Sequence, residues 1–422
     1  MTQADAMSRR SIGYLLGMAA LMFGANFVWT SYNSILLLPL VQRVVPAERA
    51  SITVGIVAFV GNLIAIGASL LFGILSDHSA SRLGRRTPSL LVGTLLGFPA
   101  IAGAAFLGLS LPAIVGSYLG MQLFTNVANG AWWPLLVDTV PEEQRGLTSG
   151  LQGFYVLLAS AASFVVTTYL NEIGRPDIAL LLMAALFTLT GLLCVGTIRG
   201  YDRPAATPRA LNLWEALRGM FHVRTRVTVF FWLVLSAFLA NMGLSSLQYF
   251  ARDFLGIYCG LSNPDAGLRL LGLVNLVLIM LSAVGTGVLS DRIGRRELIL
   301  AGTWTSAVTT ALMALTRDFT VFLVLAVVRA VATGPLVAVI PALAGGLAPE
   351  EEAGQYMAYH NLATTLPGAF APLLFGAILN LEGAPTPTSY AILLLGAAAC
   401  YALGGIVFAV KVSGARPAGR AS

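Results

Sequence analysis

The sequence predicts an all-α membrane protein with twelve transmembrane helices in two six-helix halves. Of its 422 residues, 57% are hydrophobic and 10% are charged, with a mean hydropathy of +0.81. Soluble domains carry about 25% charged residues, so a large soluble core is excluded. Apolar runs of about 20 residues, the length that crosses a bilayer, recur along the chain. A loop motif also occurs twice, with its aspartates at positions 77 and 291.

The apolar runs divide the chain into three parts. We predict an N-terminal bundle over residues 1–198, a cytoplasmic linker over 199–226 that is rich in arginine and proline, and a C-terminal bundle over 227–422. The predicted spans of the first half are 12–40, 52–75, 88–109, 112–137, 150–170 and 178–198. Those of the second half are 227–250, 267–290, 298–316, 319–346, 355–380 and 388–411.

The positive charges predict the orientation. With the N-terminus inside, 18 of the 25 Lys and Arg residues fall in inner segments and six in outer loops, which leaves Arg329 within a span. Cytoplasmic loops carry the excess of positive charge in membrane proteins. We therefore expect a multi-pass protein of the cell membrane, the bacterial inner or plasma membrane, with both termini cytoplasmic. The polar start, residues 1–10, is expected to be a cytoplasmic tail, since no signal cleavage pattern follows it.

The repeated motif is a short basic loop between two spans. Its copies are GILSDHSASRLGRR, residues 73–86, and GVLSDRIGRR, residues 287–296. The second copy resembles the G-x-x-x-D-R-x-G-R-R loop of the major facilitator superfamily. The first is similar to the longer form found in its sucrose/glycoside–cation symporter branch, which here continues through Thr87 and Pro88. The resemblance implies two parallel six-helix repeats around a central cavity that opens alternately to the two sides.

The resemblance also implies an inner gate. In related carriers a carboxylate at the position of Asp138 pairs with the loop arginines and closes the inner side. The alternative is that Asp138 only neutralises nearby positive charge. The predicted gating and coupling residues are Asp77, Arg82, Arg85, Arg86, Asp138, Asp291, Arg292, Arg295 and His360.

Polar side chains inside the spans predict the solute path, because in hydrocarbon a polar group needs a partner or water. They align on one face of spans one, four and seven, which line the cavity in this superfamily. Amides and aromatic rings suit a neutral, hydroxyl-rich solute. The alternative is that each amide only bonds helix to helix, at about 0.6 kcal/mol. The predicted substrate-binding residues are Asn26, Trp29, Asn33, Gln122, Asn126, Asn129, Trp133, Gln152, Asn241, Gln248, Arg329 and Asn361.

Two titratable residues are ambiguous from the sequence. Arg329 lies about 15 Å into a span, where a cation costs about 2.5–3.5 kcal/mol or more. It contacts either the solute or a backbone carbonyl near Gly334 and Pro335. His360 could carry a proton, since its ordinary pKa lies near neutrality, or could simply be hydrogen-bonded. No Asp or Glu lies in the middle of a span.

Together these features predict a secondary active transporter of a sugar or glycoside, with proton symport implied by the resemblance. The alternatives are a multidrug exporter or an uncoupled uniporter. A membrane enzyme or a nonconducting sensor would need a catalytic set or a large extramembrane domain, and neither pattern is present. We expect no catalytic residue, metal, cofactor, disulfide or nucleic-acid partner, despite the net charge of +6. The expected partners are the solute, a proton and membrane lipid, and the expected state is a monomer.

Overall fold

The computed structural model describes residues 9–202, 228–347 and 353–412. Every regular element in these ranges is a helix, which confirms the predicted all-α class. The twelve long helices of the described ranges are α1 Ile12–Gln42, α2 Ala47–Asp77, α3 Thr87–Phe106, α4 Leu111–Trp132, α5 Glu142–Glu172, α6 Pro176–Ile198, α7 Thr228–Leu244, α8 Pro264–Ile293, α9 Arg295–Met313, α10 Phe319–Leu347, α11 Ala353–Leu379 and α12 Pro387–Val407.

The helices differ in whether their length and hydropathy would allow them to cross a membrane. Within the described residues, nine are long and apolar enough to cross a membrane, and the apolar segment Val229–Leu244 of α7 is shorter. The remaining two, α4 and α9, are not among these nine. The helix count therefore agrees with the twelve predicted spans.

The first helix contains an irregular turn that the sequence explains. A π-helical segment, Ser31–Leu36, interrupts α1, and the amide of Leu37 donates to the carbonyl of Tyr32, five residues back. Pro39 follows within the next helical turn. Proline has no N–H and its ring collides with the carbonyl four residues earlier, so a local widening lets the helix continue.

The seventh helix is shorter than the sequence predicted. We expected residues 227–250 to form one helix, with Gln248 on the face of Asn241, but α7 ends at Leu244 and turns follow through Phe250. Gly243 lies in the last turn against α12, where a Cβ would come within 2.7 Å of the Tyr401 ring. Glycine allows α7 to pack closely against α12 at this point. Because Gly is also a poor helix former, the helix ends easily there.

Helix starts follow the expected local chemistry. Pro141 caps α5, whose first turn carries Glu142 and Glu143 near the positive end of the helix dipole. At α12, the side chains and backbone of Thr386 and Ser389 form a reciprocal capping box. A similar sequence, a proline followed by glutamates, occurs at 349–352, but it lies outside the described residues, as does most of the predicted linker.

The described residues form two compact units. The first contains residues 9–45 and 60–202, and its largest fully buried side chains include Tyr32, Tyr118 and Trp132. The second contains residues 46–59, 228–347 and 353–412, with a core that includes Phe230, Leu233 and Phe408. The predicted domain boundaries stay a prediction.

The first part of α2 belongs to the second unit because its backbone packs against α11. The amide of Ile52 donates to Oδ1 of Asn380 at 2.6 Å, and Nδ2 of Asn380 donates to the carbonyl of Gly383 at 2.9 Å. A Cβ on Gly376 would lie 2.6 Å from the carbonyl oxygen of Ser51. Glycine is thus required at this crossing, since any side chain would push the helices apart.

Candidate functional site

The arginine network is a cluster of charged side chains at the predicted inner end of the first unit. It consists of Asp77, Arg85, Arg86 and Asp138, together with the hydroxyl of Ser76. Arg86 is at its centre and is only 2% exposed. The loop places its guanidinium next to the end of α2 and to the short helix Leu135–Thr139 that follows α4.

All three nitrogens of the Arg86 guanidinium are bonded. Nε and Nη2 donate to Oδ2 of Asp138 at 3.0 and 2.9 Å, and Nη2 also lies 2.5 Å from Oδ1 of Asp77. Nη1 donates to the hydroxyl of Ser76 at 2.6 Å. A buried guanidinium is stable only with paired charges and full hydrogen bonding, and this one has both.

Arg85 completes the network and Arg82 lies outside it. Nη2 of Arg85 is 2.5 Å from Oδ2 of Asp138, so one carboxylate oxygen serves two arginines. Arg82 is exposed, and no described residue pairs with it. The structure therefore brings together Asp77, Arg85, Arg86 and Asp138 of the predicted gating set.

Asp202, which the sequence analysis missed, holds the start of α3. Oδ1 accepts from the amide of Arg85 at 3.0 Å, and Oδ2 accepts from the amides of Arg86 and Thr87 at 2.8 Å each. Oδ2 also accepts from the hydroxyl of Thr87 at 2.8 Å. The one signal in the sequence is that Asp202 is an isolated acid among the arginines after the sixth span.

The second copy of the loop motif has a different environment. Arg292, Arg295 and Arg296 are exposed, and Arg296 lies 3.7 Å from the adjacent Glu297, where both side chains face solvent. Arg292 lines an open groove of about 440 Å³ between α8 and α10, with Ser282, Thr286 and Val331 among its other walls. The side chain of Asp291 lies outside the described ones. The two copies, alike in sequence, thus differ in burial.

Several of the polar side chains predicted to bind solute on α1 and α4 are hydrogen-bonded to other side chains of these two helices. The hydroxyl of Tyr118 donates to Oδ1 of Asn33 at 3.0 Å and accepts from Nε2 of Gln122 at 2.9 Å. Nε1 of Trp29 donates to the hydroxyl of Thr125 at 3.1 Å. These bonds join the two helices and use groups that a solute could otherwise bind.

The other predicted binding residues of the first unit differ in their hydrogen-bond partners and in their exposure. The amide nitrogens of Asn26 and Asn126 donate to carbonyls four residues earlier, at 2.9 and 2.8 Å. Oδ1 of Asn129 is buried without a hydrogen-bond partner among the described residues. Trp133 is 50% exposed beyond the end of α4, and Gln152 is half-buried on α5.

A cavity of about 190 Å³ lies within the second unit, between α7, α10 and α11. Its polar lining comes from Asn241, His360 and Thr364, and Pro341 forms part of the apolar wall. His360 is 3% exposed, and its Nδ1 has no hydrogen-bond partner among the described residues. Nδ2 of Asn241 donates to the carbonyl of Ala237 at 2.8 Å, which leaves its oxygen directed elsewhere.

The backbone adds an acceptor to this cavity. Pro341 has no N–H, so the carbonyl of Val337, four residues earlier on α10, loses its helical donor. Val337 lines the same cavity. The cavity can therefore offer an imidazole nitrogen, an amide oxygen and a carbonyl oxygen to a bound molecule.

The remaining predicted binding residues of the second half lie outside this lining. Asn361 is exposed, and its carbonyl accepts from the hydroxyl of Thr364 at 2.9 Å. Gln248 is half-buried in the turns after α7. Arg329 is half-buried on α10, and neither its Nε nor the buried hydroxyl of Tyr401 makes a hydrogen bond of normal geometry within the described residues.

The chemistry expected of a metal centre is not seen in the part of the chain that the structure describes. No group of three or more His, Cys, Asp or Glu side chains is arranged to hold a metal ion there. Cys194, Cys259 and Cys400 are free thiols.

Comparison with known proteins places the fold. A family model described as Major Facilitator Superfamily matches residues 254–421. No curated protein sequence matches the chain.

Several solved structures are similar over almost the whole chain. A bacterial homologue of the human lysosomal transporter Spinster is 14% identical, with a TM-score of 0.71 over 95% of this chain and 99% of that one. The nucleoside transporter NupG is 14% identical, with a TM-score of 0.73 over 95% and 99%. A D-xylose–proton symporter is 18% identical, with a TM-score of 0.68 over 96% and 98%. At these identities the likeness shows the fold alone, an all-α fold that this chain shares with these solved transporters.

Proposed function

We propose that this protein is a secondary active transporter that moves a small, neutral, hydroxylated solute, a sugar or glycoside, by alternating access. It resides in the cell membrane as a monomer, with both termini cytoplasmic, and uses a proton as the coupling ion. The observation that carries the proposal is the cavity of the second unit. Its walls are mostly apolar, and its polar side chains are those of Asn241, His360 and Thr364.

The lining favours a neutral solute over a charged one. None of the residues around the cavity is acidic, and none is Lys or Arg. Binding an ion in a low-dielectric site without a countercharge is unfavourable, whereas hydroxyl groups both donate and accept. The free nitrogen of His360 and the oxygen of Asn241 provide such complementary groups.

The size of the cavity favours a small molecule. Sites for drug-sized ligands enclose about 300–1,000 Å³, and this cavity encloses about 190 Å³. Export of large amphiphilic drugs is therefore the weaker alternative. The similar D-xylose–proton symporter agrees with a sugar but does not decide the substrate.

His360 supports proton coupling because it is the titratable side chain of the cavity. A buried imidazole without a fixed partner can gain or lose a proton as the solute binds or leaves. No carboxylate in the middle of a span competes for this role. Proton movement would then depend on His360 and on no other residue of the lining.

Uptake by purified protein in liposomes tests the proposal. The assay follows radiolabelled D-xylose, sucrose and a phenyl glycoside, with an internal pH-sensitive dye to report protons. We expect saturable uptake of at least one sugar and acidification of the lumen during uptake. If no sugar moves while a cationic dye is expelled, the exporter is correct. Sugar uptake without a proton signal identifies a uniporter.

Paired variants connect the activity with the cavity. Asn241→Ala removes a lining amide, and Asn275→Ala is its control because Asn275 makes the same bond to a carbonyl four residues earlier outside the cavity. We expect the first to raise KM by about 5–20-fold, the worth of one or two hydrogen bonds, and the second to leave KM unchanged. His360→Gln should abolish the proton signal, whereas His78→Gln in the loop after α2 should not.

A further inference from the structure

Two residues that follow α6 in the first unit, Tyr201 and Asp202, are linked through arginines to the short helix Leu135–Thr139. Asp202 binds the start of α3, which carries Arg86, and Arg86 binds Asp138. The neighbouring Tyr201 has its ring 4.3 Å from the guanidinium carbon of Arg10. Nε of Arg10 donates to the carbonyl of Thr139 at 2.8 Å. Two consecutive residues after α6 thus contact Arg86 and Arg10, which bind Asp138 and Thr139 of this short helix.

The loop is shaped to receive the Asp202 carboxylate. Gly84 has φ of +115°, a conformation that favours glycine, and a Cβ at this position would overlap the Asp202 carboxylate. The amides of Arg85, Arg86 and Thr87 would otherwise lack partners at the start of α3, since the first amides of a helix have no intrahelical acceptor. The turn at Gly84 and the first amides of α3 are therefore both arranged around the Asp202 carboxylate.

The bonding pattern requires a carboxylate. Oδ1 and Oδ2 both accept from backbone amides, so an asparagine would turn its NH2 group towards one of the donors. Bonds from several amides to an ionised oxygen are stronger than neutral ones and fix the position of the backbone. The backbone of Arg86 in turn sets where its guanidinium emerges.

We propose that Asp202 is a positioning residue for the arginine network. By binding the amides of Arg85, Arg86 and Thr87, it holds the Arg86 guanidinium over Ser76 and between Asp77 and Asp138. The importance of this for gating rests on the proposed transport function, but the positioning itself does not.

A thiol beneath the guanidinium reports its position. Ser76 is fully buried and accepts a hydrogen bond from Nη1 of Arg86. In a background lacking the native cysteines, the thiol introduced by Ser76→Cys should react slowly with a methanethiosulfonate reagent. Asp202→Ala should accelerate labelling at least about tenfold, and Asp202→Asn should give an intermediate rate. Asp177→Ala, which removes an exposed acid at the other end of α6, should leave the rate unchanged.

A double-variant comparison separates positioning from general destabilisation. Arg86→Gln should itself accelerate labelling, and adding Asp202→Ala should then have little further effect. Hydrogen exchange of the amides of Arg85, Arg86 and Thr87 should speed up in Asp202→Ala even with the wild-type Arg86 present. Both measurements use purified protein without solute, so they do not depend on the transport proposal. Unchanged exchange, unchanged labelling, or an equal acceleration by Asp202→Ala with and without Arg86 would overturn the positioning role.

Discussion

Removing the Asp138 carboxylate is the sharpest test of the arginine network. Asp138→Asn keeps the shape of the side chain but leaves Arg86, 2% exposed, with Asp77 as its remaining charged partner. Removing one partner of a buried pair costs about 3–5 kcal/mol. Because the Asp138 side chain is 26% exposed and Asp77 stays in place, we expect about 2–3 kcal/mol in the free energy of unfolding.

The Arg175–Asp177 pair provides a matched control. It also joins an arginine to an aspartate, at 3.0 Å, but its side chains are 52% and 44% exposed. Water screens such pairs, so Asp177→Asn should cost about 0.2–1 kcal/mol.

Both variants can be compared by denaturant-induced unfolding of the purified protein in one detergent. The midpoint for Asp138→Asn should fall well below that of the wild type, and Asp77→Asn should lie between them because the Asp77 side chain is 50% exposed. Equal shifts for Asp138→Asn and Asp177→Asn would refute the reasoning, since burial would then not decide the energy. In transport assays, Asp138→Asn should lower the maximal rate more than it raises KM.

Two further predictions concern the packing and polar contacts of the helices. Gly376→Ala should destabilise the protein by about 1–3 kcal/mol, because the new methyl group would lie 2.6 Å from the carbonyl of Ser51. Gly396→Ala, whose methyl group would meet only side-chain carbons at 3.5 Å or more, should be neutral or slightly stabilising, and thermal unfolding compares the two. Tyr118→Phe removes the hydroxyl that bonds Asn33, and should cost about 0.5–1.5 kcal/mol in unfolding free energy. If it instead leaves stability unchanged and alters KM, this face contacts solute rather than holding the helices together.

Sequence reasoning identified Arg86 and Asp138 but missed Asp202. A repeated motif and an acid at the end of a span are local patterns that can be read along the chain. The bonds of Asp202 reach amides more than 110 positions away, and their donors are backbone groups that carry no residue-specific signal. An isolated acid between arginines gives no indication of which helix start it will bind.

The polar face of α1 and α4 shows the same division. Asn33 and Gln122 each belong to a set of polar residues at helical spacing within its own apolar span, and this pattern is visible in the sequence. Tyr118, which joins them, looks in sequence like an ordinary aromatic residue of a span. Whether an amide faces a cavity or a neighbouring hydroxyl depends on how two helices are rotated, which the periodicity of a single helix does not contain.

The sequence alone predicted an all-helical membrane protein, because hydrocarbon excludes unpaired backbone groups and demands runs of apolar residues of a set length. Within the described residues, nine helices are long and apolar enough to cross a membrane. The sequence also located the two basic loops, since charge cannot enter the bilayer without cost. Only the tertiary structure decided that the first loop is a buried ion-pair network with Asp202 behind it, while the arginines of the second are exposed. The reason is physical: hydrophobicity acts on each segment separately, whereas burial of a charge depends on the partners that other segments bring to it.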